Sequence, residues 1–117
     1  MRNDRPNLIV ELTFAFALNI IAYSEHIKLA KKYEMASQIF RSGTSIGANI
    51  REAQNAESKA DFIHKFKIAA KEADEVYYWL TLCKSSEFYP NPDERLLTDL
   101  NSIILIITKI VASSKAK

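Results

Sequence analysis

Glycine is nearly absent from this chain: two of 117 residues are glycine, three are proline and one is cysteine. Each scarcity excludes something. Prolines at positions 6, 90 and 92 leave long stretches without a breaker, which suits helices and argues against a many-stranded sheet with closely spaced turns. A single cysteine, Cys83, forms no internal disulfide and has no cysteine neighbour for a zinc site. Neither glycine follows a strand, so the sequence lacks a phosphate-cradling loop. It also lacks a basic start followed by a short apolar core and a small-residue cleavage site. Hence the expectation is a cytoplasmic protein. The longest mostly apolar stretch, 8–23, is broken by Glu11 and Asn19 and falls short of the roughly 20 residues of a bilayer span, so no membrane partner is expected. A dominant charge is missing too. Sixteen basic residues against 14 acidic ones give a net +2, which permits a nucleic-acid partner without requiring one.

What is present is helical periodicity. The spacing predicts one all-α domain over 1–117, with helices at about 8–32, 35–55, 59–86 and 92–112 after an N-terminal arm at 1–6. Short links between such helices give an up-down-up-down antiparallel four-helix bundle. In the first helix, capped by Asn7, the core stripe reads Ile9, Leu12, Phe16, Ile20, Tyr23, Ile27 and Ala30. Beside it runs a second apolar stripe, Val10, Phe14, Leu18 and Ile21, which either widens the core face or is buried against a second chain. The third helix opens at Ser58, a hydroxyl cap three residues before Asp61, and carries the stripe Phe62, Phe66, Ala69, Ala73, Val76, Leu80 and Cys83. Ile68, Trp79 and Leu82 lie off that stripe and join the candidate oligomer interface. Asn91, Pro92 and two acids announce the fourth helix, whose apolar row is Leu97, Leu100, Ile103, Ile104, Ile107, Ile110 and Val111, with 113–117 expected to fray.

Both glycines, Gly43 and Gly47, fall four apart in the second helix among the inward positions Ala36, Ile39, Phe40, Ile46, Ile50 and Ala53. An interior glycine costs a helix about 1 kcal/mol against alanine, so two on one face imply close approach of another backbone. Next to them Ser42, Ser45, Asn49 and Glu52 align into a polar row. That row could line a ligand groove; the expected role is hydrogen bonding across a helix or subunit contact, setting register with the glycines. Arg41, Arg51, Lys59, Lys65, Lys67 and Lys71 form the candidate nucleic-acid surface, and solvated charge is the alternative for each.

Catalytic chemistry is hard to place. A di-iron bundle needs two Glu-x-x-His pairs plus two further glutamates. The nearest match is one Asp61-x-x-His64, with His64 on the charged face. No base can be argued for Cys83 as a nucleophile. The expectation is therefore a non-enzyme without metal or cofactor.

The run Arg41-Ser42-Gly43-Thr44-Ser45-Ile46-Gly47-Ala48-Asn49-Ile50-Arg51-Glu52-Ala53, followed by Ser58-Lys59-Ala60-Asp61-Phe62, Ala69-Ala70-Lys71-Glu72-Ala73-Asp74-Glu75 and Trp79-Leu80, resembles the bacterial four-helix-bundle proteins of the 23S rRNA intervening-sequence family. The likeness covers the second and third helices. The family's motif reads Ser-Ile-Pro-Ala-Asn-Ile-Ala-Glu-Gly; here Gly47 replaces the proline and Ala53 the last glycine. The resemblance implies a small cytoplasmic protein assembled as a homopentameric ring, with many members encoded in extra segments of 23S rRNA genes. A similar bundle, the accessory protein of diversity-generating retroelements, binds nucleic acid through a basic surface. By that analogy RNA or DNA is the expected partner, with a scaffolding oligomer that binds protein as the alternative.

Overall fold

The computed structural model describes residues 7–116 and folds them into four helices, α1 Leu8–Leu29, α2 Tyr33–Ala53, α3 Lys59–Ser85 and α4 Glu94–Ala116. The expected arm at 1–6 and residue 117 lie outside the described residues. Each helix packs on its sequence neighbours and α4 closes back onto α1, with no close backbone approach across either diagonal among the described residues. Pairs along the contacts give the directions. Ile20 and Thr13 face Gly43 and Gly47; Arg41 and Glu52 face Glu75 and Lys65; Lys84 meets Glu94; Tyr23 reaches Pro90. For α1/α2 and α2/α3 the numbers run in opposite senses, and for α3/α4 Lys67 beside Lys115 with Lys84 beside Glu94 does the same, which is the antiparallel up-down-up-down bundle.

Helix ends differ from expectation for local reasons. α1 stops at Leu29 rather than 32 because Lys31 takes a left-handed φ of 63°. Its N–H bonds the Lys28 carbonyl at 2.8 Å and the Lys32 N–H bonds that of Ile27 at 3.1 Å, a Schellman closure with lysine where glycine is usual. α2 then starts two residues early, at Tyr33. Its own end, at Ala53 rather than 55, tightens into i→i+3 bonds from Gln54, Asn55 and Ala56. Asn7 holds the N-cap position of α1, its carbonyl accepting from Glu11 N–H at 3.1 Å, but its side chain makes no capping bond and instead donates to Gln54 Oε1 at 2.9 Å, tying the start of α1 to the end of α2. Ser58 does cap α3, accepting from the Asp61 N–H at 3.0 Å, while Asp61 accepts from Glu57. α4 begins at Glu94, not 92. Asp93 supplies the cap, its carboxylate accepting from Arg95 N–H at 2.9 Å, and Pro92 is buried ahead of the helix. The helix then continues to Ala116 where fraying was expected.

Phe16, Ile20, Ile27, Ile39, Ile46, Ile50, Phe66, Val76, Leu80, Leu100, Ile103 and Ile107 make the fully buried centre. Several expected core positions are not in it: Phe62, Ile104, Ile110 and Val111 are half-buried against its edge, and three others expected on α1 and α2 also lie outside it. Phe40 lies 48% exposed, Ala30 is exposed beyond the end of α1, and Leu12 is half-buried while Thr13 takes the buried place. Thr13 can do so because its hydroxyl donates to the Ile9 carbonyl at 2.8 Å and its neighbour is Gly47. By length and composition α1 and α4 are each long and apolar enough to cross a membrane, against the expectation for α1; in the bundle both give their apolar stripe to the core.

Candidate interaction surfaces

The two glycines let α1 close on α2. A Cβ built at Gly43 would lie 2.7 and 2.8 Å from Cγ2 and Cγ1 of Ile20, and one at Gly47 would lie 3.3 Å from the Thr13 carbonyl oxygen. Gly43 makes room for a side chain and Gly47 for a backbone. The polar row beside them behaves differently from expectation. Ser42 Oγ donates to the Gln38 carbonyl at 2.7 Å, Ser45 Oγ to Arg41 at 2.6 Å and Asn49 Nδ2 to Ser45 at 2.9 Å, all within α2. A carbonyl four residues back is always within reach of a small polar side chain in a helix, and it is taken first. Only Glu52 crosses to α3, where it meets Lys65 Nζ at 2.9 Å.

The second stripe of α1 stays uncovered by the chain. Phe14 is 57%, Leu18 54% and Ile21 38% exposed, and Val10 is half-buried. Val10, Phe14 and Ala17 continue across a groove to Thr44, Ala48 and Arg51 of α2, and exposed Phe40 lies farther along the same helix pair. The candidate interface residues of α3 do not form one outward patch. Trp79 turns toward Met35 and Gln38 of α2, Ile68 is half-buried, and Leu82 is exposed next to a turn carrying exposed Tyr78.

The basic residues divide as well. Arg41 bonds Gln38 and lies 3.6 Å from Glu75, and Lys65 is held by Glu52, which raises its ammonium pKa above the ordinary value. Arg51 borders the α1/α2 groove, and Lys59 stands exposed in the first turn of α3. Lys67 and Lys71 sit one turn apart on α3, and the antiparallel register brings Lys115 of α4 beside Lys67. Hydrogen bonding with Lys67, which favours the neutral amine, and then its like charge lower the Lys115 pKa. Among the described residues none of these three has a carboxylate within ion-pair reach. Lys115 escaped the sequence reading because the end of α4 was expected to fray; a cation in the last turn of a long helix was the available signal.

Cys83 is buried beside the Tyr23 hydroxyl, which donates to the Pro90 carbonyl at 2.6 Å. Burial pushes the thiol above its ordinary pKa and the phenol higher still, the opposite of an activated nucleophile. Among the described residues no three His, Cys, Asp or Glu side chains converge in a metal-holding group.

Comparison with known proteins places these surfaces in context. A protein of unknown function from the S23 ribosomal protein family of Bacteroides thetaiotaomicron has a solved structure that is 40% identical, with a TM-score of 0.83 over 88% of this chain and 97% of that one. No curated protein matches the chain. The family model described as 23S rRNA-intervening sequence protein matches residues 5–109. With nearly the whole bundle inside that match, and the four helices in place, the chain belongs to the 23S rRNA-intervening sequence protein family.

Proposed function

We propose that the protein is a non-enzymatic cytoplasmic homo-oligomer, a pentameric ring on the family resemblance, that binds RNA or DNA through a basic surface. The observation that carries the nucleic-acid reading is the cluster Lys67, Lys71 and Lys115, three cations that among the described residues have no carboxylate within ion-pair reach and that assembly would repeat around a ring. The apolar stripe Phe14, Leu18 and Ile21, left in water by a lone chain, supports the assembly. Phosphate binding by lysines releases counterions, so affinity must fall with salt. Anisotropy titration of a labelled structured RNA across a salt series tests this. Lys67→Gln with Lys71→Gln should reduce the slope of log affinity against log salt by about two. An undetectable or salt-independent affinity would sink the reading. Neutralisation of Arg41 and Lys65 by Glu75 and Glu52 favours a second reading, a scaffold for a protein partner; it would keep the oligomer and show no RNA affinity.

A further inference from the structure

Where α2 begins and the α3–α4 connection passes, Tyr33, Met35, Trp79 and Tyr89 wall an open cleft of about 650 Å³. The volume is that of a small-ligand site rather than a packing defect. Its walls are aromatic and accessible: Tyr33 is 61% exposed and Tyr89 half-buried. Trp79 packs on the core, yet its indole N–H is buried with no acceptor among the described residues. A cation stands at the rim. Lys32 Nζ lies 5.6 Å from the centre of the Tyr89 ring, and Lys31 precedes it in the left-handed conformation that glycine would adopt without penalty. Helix closure alone would be better served by glycine at that position, and a lysine there adds a second positive charge in the residue before Lys32. Glu34 shares the rim; it disfavours a bare phosphate inside and can accept from an exocyclic amine.

We propose that this cleft receives an unpaired base of a single-stranded nucleic acid, stacked on Tyr33 and Tyr89, with Lys31 and Lys32 on the flanking phosphates. The proposal rests on the nucleic-acid reading above and narrows it to single strands. Aromatic faces bind any base by stacking and the lysines supply the backbone contact. Lys71 lies eight residues from Trp79 on α3, about 12 Å along the helix at 1.5 Å per residue, so a strand leaving the cleft can run on toward the lysine cluster.

Trp79 is the sole tryptophan, and its emission therefore reports on the cleft directly. Full-length protein is titrated with a short single-stranded RNA and with a duplex of the same sequence, following both Trp79 emission and the anisotropy of a label on the RNA. The single strand should change the emission and bind more tightly than the duplex. Tyr33→Ala, at an exposed position, should weaken it about tenfold. Lys31→Gly should raise the melting temperature, by relieving the left-handed lysine, and still weaken binding; a purely structural role predicts only the first. Single-strand binding with unchanged emission, and with full affinity in Tyr33→Ala, would remove the cleft from the interface and leave the nucleic-acid reading standing. Absence of binding by either RNA would overturn both. Emission that answers to short peptides and not to RNA would also overturn the proposal and make this a peptide groove.

Discussion

Replacing each helix glycine by alanine separates two effects that act together at these sites. Alanine favours the helix by about 1 kcal/mol at either position. At Gly43 the new methyl would stand 2.7 Å from Cγ2 and 2.8 Å from Cγ1 of Ile20, far inside the 3.5–4.0 Å of a comfortable carbon contact. Ile20 is fully buried and stiff at χ1, so it cannot swing aside, and relief must come from moving α1. Overpacking of this kind costs about 1–3 kcal/mol. Net destabilisation of about 1 kcal/mol is expected for Gly43→Ala. At Gly47 the nearest atoms are Thr13 O at 3.3 Å and Thr13 Cβ and Oγ1 at 3.4 Å, a tight but tolerable contact. Gly47→Ala should be neutral or stabilising by a few tenths to about 1 kcal/mol. The prediction lies in the sign and in the gap, about 1–2 kcal/mol between the variants. Guanidinium unfolding followed by circular dichroism measures it, at one protein concentration because assembly adds to apparent stability. Ile20→Ala removes both clashing carbons. It should cost about 2–5 kcal/mol alone but less in the Gly43→Ala background, with a coupling of about 1–3 kcal/mol. Equal stabilities of Gly43→Ala and Gly47→Ala, or strict additivity with Ile20→Ala, would refute close packing as the reason for Gly43.

Three further outcomes follow from other parts of the molecule. Phe14→Glu or Leu18→Glu places a charge on the uncovered stripe of α1 and should lower the sedimentation mass while leaving helicity intact; an unchanged mass would reject that stripe as an interface. Ser58→Ala removes the acceptor for the Asp61 N–H and should lower stability by about 1 kcal/mol, read from the denaturation midpoint. Stability should also fall as pH rises above about 9. There the unfolded chain ionises Cys83 (ordinary pKa 9.0) and then Tyr23 (10.0), whereas the folded chain keeps both protonated. The unfolded state thus binds fewer protons and stability declines with pH, with the full contribution present below the unfolded values. Tyr23→Phe together with Cys83→Ala should flatten that alkaline limb, and a limb that keeps its slope would contradict the assignment.

Much of the bundle was legible because the apolar stripes of α1, α3 and α4 keep helical spacing over many turns. The α3 stripe from Phe66 to Cys83 is buried without exception. Boundaries were less visible wherever an unusual residue did the capping. The Schellman closure of α1 uses Lys31, and a reading that looks for glycine continues the helix past it. At α4, Asn91-Pro92 is a good start signal on its own, but Asp93, two residues beyond Asn91, supplies the acceptor. Thr13 replaced Leu12 in the core because the deciding fact, the missing side chain at Gly47, belongs to another helix 34 residues away.

The surfaces show the opposite balance. Sequence spacing placed Phe14, Leu18 and Ile21 on one face, and that face is uncovered, since membership of a stripe is a local property of one helix. Charge cannot be read that way. Arg41 and Lys65 look as basic in the sequence as Lys67 and Lys71, but the antiparallel register of α2 against α3 pairs the first two with Glu75 and Glu52, while among the described residues the others have no carboxylate within ion-pair reach. The same kind of register, between α3 and α4, brings in Lys115. A cation's availability to phosphate is thus decided by the acid on the neighbouring helix. For that reason Lys67, Lys71 and Lys115, rather than the full basic row, are the residues whose removal should change the salt slope.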